Sequence, residues 1–136
     1  MSFTNCLRDK RQFFISDHRF RESESHLLRA LDETDCVAEF YIFMPEHTHF
    51  LVTGRGDEFS PLNAVDKFKQ YNGFWMSKTF GESYWQKDYF DHVLRKDSDI
   101  LKQMHYMMLN PVRRELCAKW NDYPYKGSTV HDLSKW

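Results

Sequence analysis

The sequence predicts an α+β fold built around one antiparallel sheet. Residues 36–44 and 47–53 alternate in the way that strands do when their two faces differ, and a Pro-Glu step separates them. Residues 21–32 and 61–80, on either side of this strand pair, place apolar side chains at helical spacing. Helices and paired strands in this arrangement are typical of an α+β domain.

The first half of the chain is predicted to run strand, helix, strand, strand. Residues 12–16 are short and apolar and are the candidate first strand. Residues 21–32 carry leucines at helical spacing after an acidic start, which predicts the first helix. Side chains in the strand over 36–44 should alternate between faces, so we expect Ala38 to share a face with Phe40.

The second half is predicted to add a helix, a strand and a last helix. Ser60 and Pro61 suit the cap and first position of a helix that Gly81 ends. Residues 89–95 alternate as a strand, residues 99–109 form the last helix, and the aromatic tail is loop-like. The first six elements match the ferredoxin-like split βαββαβ pattern of an antiparallel sheet, with an additional C-terminal helix.

Composition indicates a soluble, intracellular protein. The 136 residues fit a single domain over 1–136. The sequence has no run of about 18 apolar residues and no apolar signal-peptide core, so we expect a cytoplasmic protein without a membrane partner. Its three cysteines lack Cys-x-x-Cys spacing, which argues against a zinc knuckle or a disulfide framework. The formal charge of −1 leaves nucleic-acid binding to local basic clusters.

The run His47-Thr48-His49 is the first candidate site. In a strand, both imidazoles point to one face, roughly 7 Å apart along the chain, while Thr48 points to the other face. Two histidines placed in this way can chelate one metal ion, although the pair also fits two histidines of an ordinary sheet face. Glu46, directly before them, could touch the metal or sit at the bend, and we favour the bend.

A second candidate segment lies on the last helix. Tyr106 and Asn110 are four residues apart and therefore neighbours on one helical face, which Gln103 extends. Tyr106 could act as a nucleophile and Asn110 could complete a metal site. The alternative is a half-buried helix tyrosine followed by a C-cap asparagine before Pro111.

Five stretches of the chain resemble the HUH single-tyrosine transposases of insertion sequences, and most closely the branch of REP-associated tyrosine transposases. The first is Met-Pro-Glu-His-Thr-His-Phe-Leu-Val over 44–52, which resembles the HUH motif. The others are a Trp-Gln…Asp-His-x-x-Arg block in 84–95, an acidic helix start at 98–99, Tyr-x-x-x-Asn-Pro-Val over 106–112 and a Trp-x-x-Tyr-Pro tail in 120–125. They span most of the chain and follow the family's order.

The resemblance implies a function and a site. His47 and His49 match the metal-binding histidines, Tyr106 matches the nucleophile, and Asn110 occupies the place of a third ligand that is usually Gln in the relatives. The implied cofactor is a divalent metal, Mg or Mn. The implied activity is a metal-dependent single-strand DNA endonuclease and strand transferase, a transposase that acts on hairpin-flanked DNA through a covalent 5′-phosphotyrosine.

The expected partner is single-stranded or hairpin DNA, held by basic side chains along its backbone and by stacked aromatics such as Tyr71. The basic residues expected to contact it are Arg8, Lys10, Arg11, Arg55, Lys67, Lys69, Arg95, Arg113 and Arg114. A homodimer is one option, since the last helix could dock on its own sheet or on a partner's.

Two departures from the family pattern leave alternatives open. Thr48 is polar where relatives often carry a bulky apolar residue, and Asn110 is one methylene shorter than Gln. A non-catalytic DNA-binding module of the same fold, or a metal-dependent enzyme of another class that uses the histidines alone, would also fit.

Overall fold

The computed structural model describes residues 1–88, 90–92 and 97–136. Within these ranges the strands form one antiparallel sheet in the order β4-β1-β3-β2-β5. The strands are β1 (Ser2–Cys6), β2 (Cys36–Met44), β3 (His47–Gly54), β4 (Phe90–His92) and β5 (Lys126–Gly127). The α-helices are α1 (Asp17–Glu33), α2 (Pro61–Phe80), α3 (Asp97–Met108) and α4 (Asn110–Arg113).

The predicted first strand was wrong. The strand at the chain start that pairs with β3 is Ser2–Cys6, whereas residues 12–16 form a connection in which Phe13 and Phe14 are buried. The amide groups of Phe13 and Phe14 both donate to the carbonyl of Pro45, at 2.8 and 3.1 Å, and both rings are buried. Two adjacent aromatics that point into one core do not alternate, so their apolar character did not indicate a strand.

The helices begin and end where local signals place them. Ser16 caps α1 by accepting a hydrogen bond from the amide of Arg19 at 3.3 Å, so the helix starts four residues before the predicted 21–32. The predicted helix over 61–80 is confirmed as α2, and Gly81 ends it in the left-handed conformation at φ 93°.

Strand β2 contains a bulge that the alternation pattern did not reveal. The register to β3 shifts between Ala38 and Phe40, so one extra residue lies on β2. Ala38 therefore packs with Tyr41 and Phe43 on one face, while Phe40 and Ile42 lie on the other. The expectation that Ala38 shares a face with Phe40 was wrong for this reason.

The sheet is covered on both faces. Helices α1 and α2 close one face over an aromatic core that includes Phe43, Phe50 and Phe68. Helix α3 covers the other face with three methionines, which pack against the sheet. The members of this second core are Phe40, Ile42, Met44, Leu51, Met104, Met107, Met108 and Tyr123. Because His47 and His49 alternate with buried Thr48, they lie on the α3 side.

The last predicted elements are found in altered form. The strand predicted over 89–95 is β4 at Phe90–His92, and its remaining positions lie outside the described residues. Part of the tail, expected to be a loop, forms β5 beside β2. The carbonyl of Tyr125 accepts a hydrogen bond from the amide of Phe43 at 2.8 Å. The tail thus covers a sheet edge that would otherwise be open to pairing with another chain. In the described ranges, no helix is long and apolar enough to span a membrane.

A buried polar network ties α1, α2 and the segment after α2 together. The side-chain amide of Asn72 donates to the hydroxyl of Ser23 at 2.9 Å and lies 3.1 Å from Nδ1 of His26. Its carbonyl oxygen accepts from the indole of Trp85 at 2.9 Å. Burial lowers the pKa of His26 and keeps its ring neutral, so Nδ1 can accept this bond.

We expect Asn72→Ala to lower the free energy of unfolding by about 2–4 kcal/mol, because it leaves the indole and hydroxyl groups buried without partners. Urea denaturation measures the change. The matched control is Gln70→Ala on the exposed face of the same helix, which should stay within about 0.5 kcal/mol of the wild type. Equal stability of Asn72→Ala and the wild type would contradict the role assigned to the network.

Candidate active site

The two histidines of β3 converge on one point. Nε2 of His47 lies 3.1 Å from Nε2 of His49, and the ring centroids are 4.7 Å apart. Metal–nitrogen bonds of about 2.1 Å place neighbouring ligands about 3.0 Å apart at right angles and about 3.4 Å apart in a tetrahedron. The observed separation is therefore that of two ligands that can share one ion.

Two residues hold the imidazoles in this orientation. Nδ1 of His47 donates to Oε1 of Glu46 at 2.9 Å, and Nδ1 of His49 lies 3.0 Å from the hydroxyl of Thr4. The carboxylate keeps the proton of His47 on Nδ1, which leaves a lone pair on Nε2. The hydroxyl can donate or accept, so it accommodates either tautomer of His49. Support of this kind for the outer ring nitrogen is common in metal-binding histidines.

Burial keeps both rings neutral. It lowers the pKa of His49 to about 3, assisted by the nearby charges of His47 and Arg113. It also lowers the pKa of His47, although Glu46 opposes the change. Neutral imidazoles are the form that binds metal, so the pair is ready for a cation at neutral pH.

The buried carboxylate beside His47 stays ionised. Burial acts to raise the pKa of Glu46, but the hydrogen bond from Arg114 and the proximity of His47 outweigh it, and the net pKa is lowered. The Arg114 guanidinium lies 2.6 Å from Oε1, and the amide of Gln12 donates to Oε2 at 3.3 Å. Glu46 thus lies in the turn between β2 and β3, as predicted, and its carboxylate also orients the imidazole of His47.

Asn110 is the third residue that the structure brings to the pair. Its Nδ2 lies 3.4 Å from Nε2 of His47. Rotation of the amide by half a turn would put its oxygen, a metal ligand, in that place. In the described parts of the chain, no group of three His, Cys, Asp or Glu residues could hold a metal. This amide is therefore the candidate for a third protein ligand, and the shorter side chain does reach His47.

Tyr106 lies one helical turn before Asn110, in the last turn of α3. Its side chain is 58% exposed. The guanidinium of Arg113 lies over its ring, 4.0 Å from the centroid. Pro111 lacks the amide hydrogen that a continuous helix would need, so α3 ends at Met108, one residue before the predicted end at 109, and a separate helix, α4, begins at Asn110.

A cleft of about 470 Å³ opens beside His47. Its size lies in the range of small-molecule sites and would admit one nucleotide. Its walls combine two cations, two side-chain amides and a few apolar groups. The lining residues are Thr4, Cys6, Leu7, Lys10, Gln12, Glu46, His47, Gln86 and Arg114.

Five of the nine basic residues expected to contact DNA fall into two groups by location. Lys10 and Arg114 line the cleft, and Arg113 covers Tyr106. Arg55 pairs with Asp35 at 3.5 Å, and Lys67 lines a separate acidic cavity of about 510 Å³ that includes Asp35. DNA contact by any of them stays a prediction.

The remaining basic candidates have structural contacts of their own. Arg8 donates to the carbonyl of Ser83, and Arg11 lies over the ring of Tyr84 at 3.9 Å. Lys69 donates to the carbonyl of Gln86 at 2.7 Å, which fixes one wall of the cleft. Arg95 lies outside the described residues.

Thr4 had no sequence signal, because β1 was assigned elsewhere and its register to β3 could not be known. In the structure Thr4 faces His49 across the two strands. Glu46 did have a signal, since it directly precedes the first histidine.

Comparison with known proteins gives a clear structural result and no sequence result. No family model and no curated protein matches the sequence. The structure is similar to that of a REP-associated tyrosine transposase bound to a REP hairpin, with a TM-score of 0.81 and 20% identity over 98% of this chain and 78% of that one. It is also similar to a protein from Deinococcus radiodurans R1 with a provisional transposase designation, with a TM-score of 0.55 and 14% identity over 77% and 86% of the two chains. The chain therefore has the α+β fold of a REP-associated tyrosine transposase, which confirms the sequence resemblance at the level of fold.

Proposed function

We propose that the protein is a metal-dependent single-strand DNA endonuclease and strand transferase, an HUH-type transposase that acts on hairpin-flanked DNA. One observation carries the proposal. The paired Nε2 atoms of His47 and His49 are met, in the same chain, by Asn110 from the segment that also bears an exposed tyrosine, Tyr106.

The topology supports this assignment. The sheet order β4-β1-β3-β2, with α1 and α2 on one face, is that of a ferredoxin-like split βαββαβ unit. The additional helix α3 lies on the opposite face, where the histidines point. This arrangement supports a site in which the helix that bears the proposed nucleophile lies across the strand that bears the proposed metal ligands.

The side chains present fit a divalent cation, Mg²⁺ or Mn²⁺. His47, His49 and Asn110 would hold it, and when bound it would polarise a phosphodiester and stabilise the charge that develops there. Imidazole nitrogen favours Mn²⁺ over Mg²⁺. Glu46 and Thr4 hold the imidazoles in position, which supports a site that forms without rearrangement of the sheet.

Tyr106 supplies the chemistry of strand exchange. Its phenolic oxygen attacks phosphorus and gives up its proton to solvent, the bond from phosphorus to the 3′ oxygen breaks, and that oxygen leaves as a 3′-hydroxyl after taking up a proton. The product is a 5′-phosphotyrosine, which retains a phosphodiester bond. Attack by a 3′-hydroxyl reverses the step and joins strands without another energy source.

The cleft beside His47 is the proposed path for unpaired DNA. Lys10 and Arg114 provide charge for the backbone, and Gln12 and Gln86 provide amides that can read base edges. The similar transposase was solved with a REP hairpin, which supports hairpin DNA as the substrate class. With a formal charge of −1 overall, such a local surface must supply the electrostatic attraction.

The site is proposed to work within one chain. Asn110 meets His47 of its own chain, so no partner is needed to assemble the ligands. A homodimer remains an expectation that this contact does not require.

Covalent adduct formation tests the nucleophile. A pool of labelled hairpin oligonucleotides with randomised single-stranded flanks, incubated with Mn²⁺, should give a protein–DNA adduct that survives denaturing electrophoresis. Tyr106→Phe should abolish the adduct, because the attacking oxygen is removed, and EDTA should prevent it.

The matched control is Tyr71→Phe on α2. It removes the hydroxyl that donates to Glu33 on α1 and keeps the aromatic ring. It should form adduct like the wild type. Adduct that persists in Tyr106→Phe would refute the assignment of the nucleophile. DNA binding by the wild type without any adduct would instead favour a non-catalytic DNA-binding module.

Calorimetry with Mn²⁺ tests the metal ligands without DNA. His47→Ala and His49→Ala should each abolish measurable binding, because each removes half of the chelating pair. Glu46→Ala should weaken binding by about 10- to 100-fold, the range typical of a residue that orients a ligand. His18→Ala, an exposed histidine on α1, is the control and should bind like the wild type. Unchanged affinity in the His47 and His49 variants would rule out this metal site.

A further inference from the structure

Three contacts come from the short helix α4 and the residue that follows it, and each reaches a different part of the candidate site. Asn110 meets His47, Arg114 meets Glu46, and Arg113 meets Tyr106. The first two contacts concern the metal ligands. The third contact is with Tyr106 and involves none of the proposed metal ligands.

We infer that Arg113 is a positioning residue that holds the Tyr106 ring in the orientation from which it attacks. This inference rests on the proposed function of Tyr106 as the nucleophile. It adds to that function a specific side chain that fixes the attacking group, beside the general DNA contact expected for Arg113 from sequence.

The guanidinium of Arg113 holds Tyr106 at two points. Its Nη2 donates to the backbone carbonyl of Tyr106 at 2.7 Å, and its central carbon lies 4.0 Å from the centroid of the Tyr106 ring. The carbonyl belongs to the last turn of α3, where a helix has carbonyl groups without helical partners. One bond anchors the guanidinium to the backbone, and its flat face then covers the ring.

Tyr106 needs such a restraint because packing does not provide one. The side chain is 58% exposed, whereas Met104 and Met107 on the same helix are fully buried. An exposed tyrosine can rotate about its side-chain bonds, but attack on phosphorus requires the oxygen at about 3–3.5 Å in line with the leaving group. A stacked guanidinium reduces that freedom on the side where it lies.

Arg113 is also placed to act at the phosphate. Its side chain uses one of its five N–H donors on the Tyr106 carbonyl, and the residue is exposed. It lies three residues after Asn110, whose Nδ2 is 3.4 Å from Nε2 of His47, so the same short segment reaches the proposed metal ligands. A scissile phosphate between Tyr106 and the histidines would therefore meet the same guanidinium that holds the ring.

The chain offers a matched control for charge and location. Lys102 lies on α3 four residues before Tyr106, is exposed and carries the same charge. Within the described residues it makes no contact with Tyr106 of the kind made by Arg113. Lys102→Ala removes one positive charge near the nucleophile without touching the ring.

The first test observes the ring directly and needs no DNA. The protein is labelled with 3-fluorotyrosine at its seven tyrosines, and the resonance of Tyr106 is identified by its loss in Tyr106→Phe. In Arg113→Ala this resonance should shift and narrow, because the ring loses its cover and moves faster. Lys102→Ala should leave it unchanged. An unchanged Tyr106 resonance in Arg113→Ala would overturn the inference.

The second test separates positioning from DNA binding. With the hairpin oligonucleotide pool at saturating concentration and Mn²⁺ present, Arg113→Ala should slow adduct formation by about 10- to 100-fold, as expected for a displaced reacting group. Its dissociation constant for the same pool should change less than threefold, Arg113→Lys should recover part of the rate, and Lys102→Ala should react like the wild type. A loss explained entirely by weaker binding would overturn the positioning role.

The two tests distinguish failure of the inference from failure of the proposed function. If the wild type forms no adduct, the proposed function fails and Arg113 has no catalytic role to support. If the wild type forms adduct and Arg113→Ala forms it at the same rate, the function stands and the inference about Arg113 is wrong.

Discussion

The candidate site depends on how α3 packs against the sheet. Three fully or almost fully buried methionines, Met104, Met107 and Met108, fill the face that Phe40, Ile42 and Leu51 present. Full burial of each such side chain contributes about 1.5–3 kcal/mol, and methionine adapts its shape to an irregular surface. Docking of these methionines places α3 on the sheet face that bears His47 and His49, and the segment that follows α3 then brings Asn110 to His47.

The break at Pro111 then brings the residues that follow α3 into contact with the candidate site. A straight continuation of α3 would carry residues 110–114 along the helix axis. After the break, Asn110 instead contacts His47, Arg114 contacts Glu46, and Arg113 turns back to Tyr106. The shortest of these contacts is the ion pair of Arg114 with Glu46 at 2.6 Å, on a carboxylate that is only 12% exposed. It links the turn that follows the proposed nucleophile to the residue that orients His47, so the proposed metal site and the proposed nucleophile share one polar connection.

The sequence alone predicted the parts of the site that are close together in the chain. The His-x-His spacing fixes two imidazoles on one strand face, and the spacing of Tyr106 and Asn110 fixes their relation on one helix. It did not predict Thr4, since a five-residue strand at the chain start has little pattern of its own and the buried pair Phe13-Phe14 looked more like a strand. The bulge at Ala38 was also missed, because it follows from pairing between strands and leaves no mark on the alternation of β2.

If one chain assembles both halves of the proposed site, as the contact of Asn110 with His47 indicates, two variants that each lack one half cannot complement each other. A His47→Ala chain and a Tyr106→Phe chain, carrying different tags, are co-expressed and purified together through both tags, and are then incubated with the hairpin pool and Mn²⁺. Because each chain lacks one half of its own site, we expect no adduct above that of either variant alone, while the wild type reacts. Adduct on the His47→Ala chain at half the wild-type level or more would show that the tyrosine acts on a partner's metal site, and would contradict assembly of the site within one chain.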